Sequence, residues 1–266
     1  MLAALAWQLC VWSAADAHDQ ELPVRVFLLV PAAFGYSVVD FGTLPEGTTQ
    51  VVRVLNNGGE VVGHSSGPGG IQAVLWTRSG AIQELGALPG STYSRALAIN
   101  ERGEVVGTAG TSPKTRAFLW TPSAGMEDLG MLPGDRESEA VHINDAGDVV
   151  GLSSGPRGRR AVLWPAGGTI QDLGTLPAGQ YSHARAINAR GEVVGASGSH
   201  DGSRAFLWTR TGGMQDLNRL IPASSGFTLT EAVAINDHGL VVAVGDDDHG
   251  GDQHEDGFPI HLAPAP

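Results

Sequence analysis

The chain has 266 residues, 42% of them hydrophobic and 6% aromatic, with 38 glycines and a formal net charge of −12. That length accommodates one large repeat domain or two small ones, with enough apolar side chains for a core. The acidic balance argues against binding nucleic acid or an anionic membrane through bulk electrostatics, which needs clustered Lys and Arg.

Residues 1–17 read MLAALAWQLCVWSAADA. An apolar run ends in a small-x-small step, Ala15-Asp16-Ala17, ahead of His18. This is the pattern of a secretory signal peptide, without the usual positive n-region. The run is too short to cross a bilayer as a helix. Cys10, the single cysteine, lies inside it. A chain cleaved before His18 would carry no disulfide and no thiolate chemistry.

Residues 18–35 form an N-terminal segment. Its β-prone stretch PVRVFLLV, residues 23–30, matches RAFLWTP at 116–122, with Arg25, Phe27 and Pro31 in corresponding places. It is expected to be a remnant of a preceding repeat or a strand covering an edge.

From Tyr36 onward the chain repeats, and residues 36–266 read as a single repeat domain. Copies begin at Asp40, Glu84, Asp128, Asp172 and Asp216, a step of 44 residues each time. Trp76, Trp120, Trp164 and Trp208 keep that step, as do Gly63, Gly107, Gly151 and Gly195. A fixed period in this range marks a repeat architecture. Each copy breaks into four β-prone pieces separated by turn signals. In the second copy they are SRALAIN (94–100), EVVGT (104–108), RAFLWT (116–121) and MEDLG (126–130). No stretch keeps the 3.6-residue apolar period of a helix.

The turn after the first piece reads NNGG, NERG, NDAG, NARG and NDHG, starting at Asn56, Asn100, Asn144, Asn188 and Asn236. Asn bonds the backbone ahead of it, and Gly at the fourth place takes a left-handed conformation. The Asn is read as a turn-former rather than one of a ring of ligand-binding amides. The Trp is read as the large side chain that packs one repeat on the next, rather than a stacking platform for sugars.

Four strands in about 44 residues is the size of a propeller blade. Counting each type gives five of each, with GFPIHL (257–262) as a weak fifth third strand. The chain enters the pattern at a fourth strand, residues 36–42, and leaves after a third. The expected fold is therefore all-β: a five-bladed β-propeller closed by the N-terminal strand. An open β-solenoid is the alternative, and six blades the weaker one.

The stretch DLGTLPAGQYSHARAINARGEVVGASGSHDGSRAFLWT, residues 172–209, resembles the HAF-type repeat of probable extracellular bacterial proteins. The resemblance covers residues 36 to about 244. Arg stands for the signature His in Arg116-Ala117-Phe118 and Arg204-Ala205-Phe206, and Gln72-Ala73-Val74 and Arg160-Ala161-Val162 drift further. The resemblance implies an extracellular or periplasmic setting and no particular enzyme activity.

In a repeat protein the matching positions serve the frame, so chemistry is sought where copies differ. One first-strand column reads Val51, Arg95, Glu139, His183, Glu231, and two places on come Arg53, Leu97, Val141, Arg185, Val233. The candidate ligand-binding residues are Arg95, Glu139, His142, His183, Arg185 and Glu231. Of these, Glu139, His183 and Glu231 suit acid–base work. The segment DDDHGGDQHEDG, residues 246–257, offers Asp246, Asp248, Asp252, His254, Glu255 and Asp256 as candidate ligands for Ca²⁺ or Zn²⁺. Its spacing fails the EF-hand pattern, and a solvated acidic loop is the plainer reading. There is no phosphate-binding loop, no H-E-x-x-H and no G-x-S-x-G. A non-enzymatic, secreted or periplasmic binding protein for a protein or glycan partner is the leading expectation, with no resident cofactor. A glycan hydrolase using these carboxylates, and a metal-binding protein, are the alternatives.

Overall fold

A computed structural model describes residues 27–31, 36–40, 44, 50–199, 202–222, 224–247 and 259–262. The chain divides into two compact units, Met1–Asp128 and Leu129–Pro266. Both are all-β and antiparallel, and the only helical element among the described residues is a 3-10 turn, Leu217–Arg219.

The first unit opens with a two-stranded sheet of β1 (Phe27–Pro31) and β2 (Tyr36–Asp40). A four-stranded sheet follows, made of β3 (Gln50–Leu55), β4 (Val61–Gly67), β5 (Gly70–Trp76) and β6 (Ile82–Gly86). The next holds β7 (Tyr93–Ile99), β8 (Val105–Thr111), β9 (Lys114–Thr121) and β10 (Gly125–Asp128).

The second unit has two further four-stranded sheets. They are β11 (Glu137–Ile143), β12 (Val149–Gly155), β13 (Gly158–Trp164) and β14 (Gln171–Asp172), then β15 (Tyr181–Ile187), β16 (Val193–Ser199), β17 (Gly202–Thr209) and β18 (Gly213–Asp216). It ends in a three-stranded sheet, β19 (Phe227–Ile235), β20 (Val241–Asp247) and β21 (Pro259–Leu262).

Neighbours in each sheet are neighbours in sequence, and each such pair is antiparallel. The Asn turns behave as their sequence predicts. In the turn at Asn188, the Oδ1 accepts from Glu192 N at 3.0 Å, and Gly191 donates to the Asn188 carbonyl at 3.0 Å with φ of 74°. Only glycine takes that φ without strain.

Twenty-one strands lie among the described residues, one more than five complete sets. The surplus is β1. Phe27 pairs with Asp40 just as Phe118 pairs with Asp128 in β9 and β10. The β1–β2 hairpin therefore carries the register of third and fourth strands. Both β1 and β21 are strands of the third type: β21 pairs with β20 by Val241↔Leu262, as Val193 pairs with Trp208. Closure by the N-terminal strand, which would set residues 36–42 beside 257–262, is not seen in the strand pairing. β2 takes β1 as partner, and β21 belongs to another sheet.

Each first strand carries a β-bulge at one place. In β11 the register runs Ala140↔Gly151 and then His142↔Val150, leaving Val141 unmatched. Arg53, Leu97, Arg185 and Val233 are the unmatched residues of the other four. The bulge presses the backbone of the first strand onto the second. A Cβ on Gly151 would lie 1.8 Å from the Glu139 carbonyl oxygen, and one on Gly195 2.1 Å from that of His183. This explains the 44-residue glycine ladder. The fifth copy has Ala243 there, and its first strand has a second irregularity between Leu229 and Glu231.

The core lies between successive sheets. Trp120, 6% exposed, packs in one cluster with Val62, Leu75 and Leu85 of the sheet before it. Trp208 does the same with Val150, Leu163 and Leu173. Trp76 packs with Leu44, Val61 and Val74, with Leu28 and Val39 of β1 and β2 against them. Burying one such ring contributes a few kcal/mol through the hydrophobic effect. The Trp positions are therefore packing residues, as expected.

Candidate functional site

The repeats also touch through polar ties. Ser94 Oγ accepts from Ala73 N at 2.9 Å and donates to Gly86 O at 2.7 Å, both in the preceding sheet. Ser182 Oγ repeats this with Ala161 N at 2.9 Å and Gly174 O at 2.6 Å. Both serines are fully buried, so these bonds answer main-chain groups that water cannot reach. The residue after each serine is the divergent column, which thus stands on a tied, rigid strand.

Three of the candidate residues come together in the second unit. Glu231 Oε1 lies 2.8 Å from His183 Nε2 and accepts from Arg185 Nε at 2.5 Å. A carboxylate only accepts, so the shared proton belongs to His183 Nε2. His183 and Arg185 stand two apart on β15, and Arg185 is its bulge residue, a place that re-aims a side chain. Glu231 comes from β19 in the next repeat. Burial would raise the Glu231 pKa, but the hydrogen bonds from His183 and Arg185 and the Arg185 charge outweigh it and bring it to about 2. The group is anionic at every ordinary pH. It is a fixed acceptor, unsuited to delivering a proton as a general acid.

The other candidates stand apart from this trio. Glu139 is half-buried on β11, and β15 stands between it and Glu231 on β19. His142 follows the bulge of β11, in a column where Ala98 and Ala186 are buried. Its Nδ1 is shielded from solvent and has no hydrogen-bond partner. Burial lowers its pKa to about 4. Arg95 belongs to the first unit, where its guanidinium lies 5.3 Å from the centre of the Tyr93 ring. Asp246 is exposed near the end of β20. Asp248, Asp252, His254, Glu255 and Asp256 lie outside the described residues. Among the described residues no group of three or more His, Cys, Asp or Glu is placed to hold a metal ion. The candidate signal segment, residues 1–17, also lies outside them.

One polar residue of the first unit escaped the sequence reading. His64 on β4 pairs across the sheet with Val51 of the divergent column. It is half-buried, and its Nδ1 has no partner. Burial, then the charges of Arg95 and Arg53, lower its pKa to about 4. Thr108, Leu152, Ala196 and Val244 hold its place in the other sheets. The same divergence test, extended to second strands, would have found it.

No protein-family model matches the chain, and no curated protein does. Solved structures do. TolB from Acinetobacter baumannii aligns with a TM-score of 0.52 at 13% identity, over 90% of this chain and 59% of its own. This chain thus spans about three fifths of that protein's length. AofleA from Arthrobotrys oligospora aligns with a TM-score of 0.40 at 12% identity, over 87% of this chain and 81% of its own. At such identity the TolB likeness concerns the fold alone, and it places the chain among repeat proteins of the β-propeller type. No helix among the described residues is long and apolar enough to cross a membrane.

Proposed function

We propose that this chain is a non-enzymatic binding protein that acts outside the cytoplasm and captures a protein or glycan through the divergent face of its first strands. One observation carries the reading. The repeats share their turns, glycines, serines and tryptophans, yet at the first-strand column the second unit places His183 and Arg185, on the tied strand β15, in one hydrogen-bonded cluster with Glu231 of β19. Preset polar side chains on a rigid frame are what recognition needs. The extracytoplasmic setting rests on the signal-like residues 1–17 and on the resemblance to HAF-type repeats.

A glycan array and a defined-partner pull-down with the chain beginning at His18 test this. Capture that Glu231→Ala abolishes supports it. Capture that survives both Glu231→Ala and His183→Ala sinks it. The hydrolase alternative loses ground, because the Glu231 carboxylate is tied up by two donors.

The finer architecture, five blades with closure by the N-terminal strand, is proposed with it. The support is the strand arithmetic: β1–β2 has third-and-fourth-strand register, and β19–β20 has first-and-second. In the Cys10→Ser background, a disulfide forming between Leu28→Cys and Val242→Cys, with β1 in the place that β21 takes beside β20, would support closure. Free thiols under oxidising conditions would oppose it.

A further inference from the structure

Arg185 and Glu231 occupy defined repeat positions. Arg185 is the bulge residue of one first strand, and Glu231 follows the tie position in the next first strand. In the first unit the same two positions are filled by Arg53, the bulge residue of β3, and Arg95 on β7. The positions that hold an Arg–Glu ion pair in one unit therefore hold two arginines in the other. Neither arginine has an ion pair among the described residues, and both are exposed. Tyr93 supports the Arg95 guanidinium from below at 5.3 Å. His64 on β4, beside β3 in its sheet and packed against β7 of the next, keeps its Nδ1 without a partner. The charges of both arginines reach its ring. Two unpaired guanidinium groups in a chain of net charge −12 repel one another unless an anion joins them.

We propose that the first unit carries an oxyanion site, in which Arg53 and Arg95 hold the carboxylate or phosphate of a ligand in the place that the Glu231 carboxylate takes beside Arg185. The guanidinium fork suits both anions, since each presents oxygens for parallel N–H donors. The site deepens the binding reading by naming a ligand class, and it rests on that reading for its choice of face.

Calorimetric titration of the whole chain tests it, with galacturonate as the carboxylate probe, inorganic phosphate as the second anion and neutral galactose as the control. The expected result is millimolar binding of at least one anion, none of galactose, and weakening as salt screens the arginines. Which anion binds identifies the source chemistry. Arg95→Glu supplies the missing carboxylate from the chain itself, re-creating the Arg185–Glu231 pair. It should weaken anion binding at least about tenfold, the step set by one lost charge-assisted bond, and leave the thermal midpoint unchanged or higher. Arg53→Gln should weaken binding comparably. Absence of anion binding, or binding that survives Arg95→Glu, overturns the site. If anions fail while Glu231-dependent capture stands, this site alone is lost. If anions bind while capture fails, the broader reading is lost instead.

Discussion

Asn144 donates its side-chain amide to the main-chain carbonyl of Asn188 at 3.0 Å, and Asn188 does the same to Asn236. In the first unit Asn56 donates to the Asn100 carbonyl at 3.2 Å. One residue type thus closes its own hairpin and ties it to the next. The oxygen of the amide serves the turn, and the nitrogen serves the neighbour.

Replacing Asn188 with alanine removes both roles. Glu192 N and the Asn236 carbonyl lose partners in a part-buried place. Each unsatisfied group costs about 1–3 kcal/mol. The expected outcome is a lower midpoint in urea with an unchanged slope, which separates lost stability from altered compactness.

Gly195→Ala is expected to be far worse than its chemistry implies. The new Cβ would stand 2.1 Å from the His183 carbonyl oxygen, so the bulge or the strand pairing must shift. A loss above about 3 kcal/mol, beyond the usual span for single substitutions, is expected. Ala243→Gly, the mirror change in the fifth copy, should cost only about 0.5–1 kcal/mol through backbone entropy. Thermal melts of the pair check the contrast.

Stability should fall with acid in two windows. His64 and His142 each have a folded pKa of about 4 against an ordinary 6.5. The unfolded chain binds more protons between those values, so stability drops as pH falls from 6.5 toward 4. Glu231 runs from an ordinary 4.5 to about 2 in the fold. Its contribution is complete above 4.5 and is lost as pH falls toward 2. His142→Leu should flatten the upper window and Glu231→Gln the lower one, read as thermal midpoint against pH.

Glu231→Gln should be nearly neutral for folding at pH 7. The carboxylate is 26% exposed and its Arg185 partner 48%, so screening leaves the pair worth about 1 kcal/mol or less. A partner that depends on the cluster should nevertheless be lost. A small thermal shift beside abolished capture would mark the cluster as a binding feature; a large shift would mark it as structural.

Much of the fold was legible in the sequence. The 44-residue step, the NxxG turns and the four β-prone pieces each report local chemistry repeated at a fixed distance. The spacing of Trp120 and Trp208 announced packing, because a large side chain in one register of every copy has a neighbouring sheet to fill. The glycine ladder at Gly151 and Gly195 was visible too, but its cause was not. A bulge is a mismatch between two strands, and only their pairing reveals it.

By itself, then, the sequence determined the repeat, its strands, its turns and the column in which copies differ. Tertiary structure decided which members of that column meet. Glu231 reaches His183 and Arg185 because a bulge turns Arg185 toward the next first strand, while β15 stands between Glu139 and Glu231. It also decided that β1 partners β2, making a sixth strand of the third type among the described residues. The physical reason is the same in both cases. Periodicity is written along the chain, whereas a contact between strands 46 residues apart depends on register, bulge and twist, which no single repeat contains.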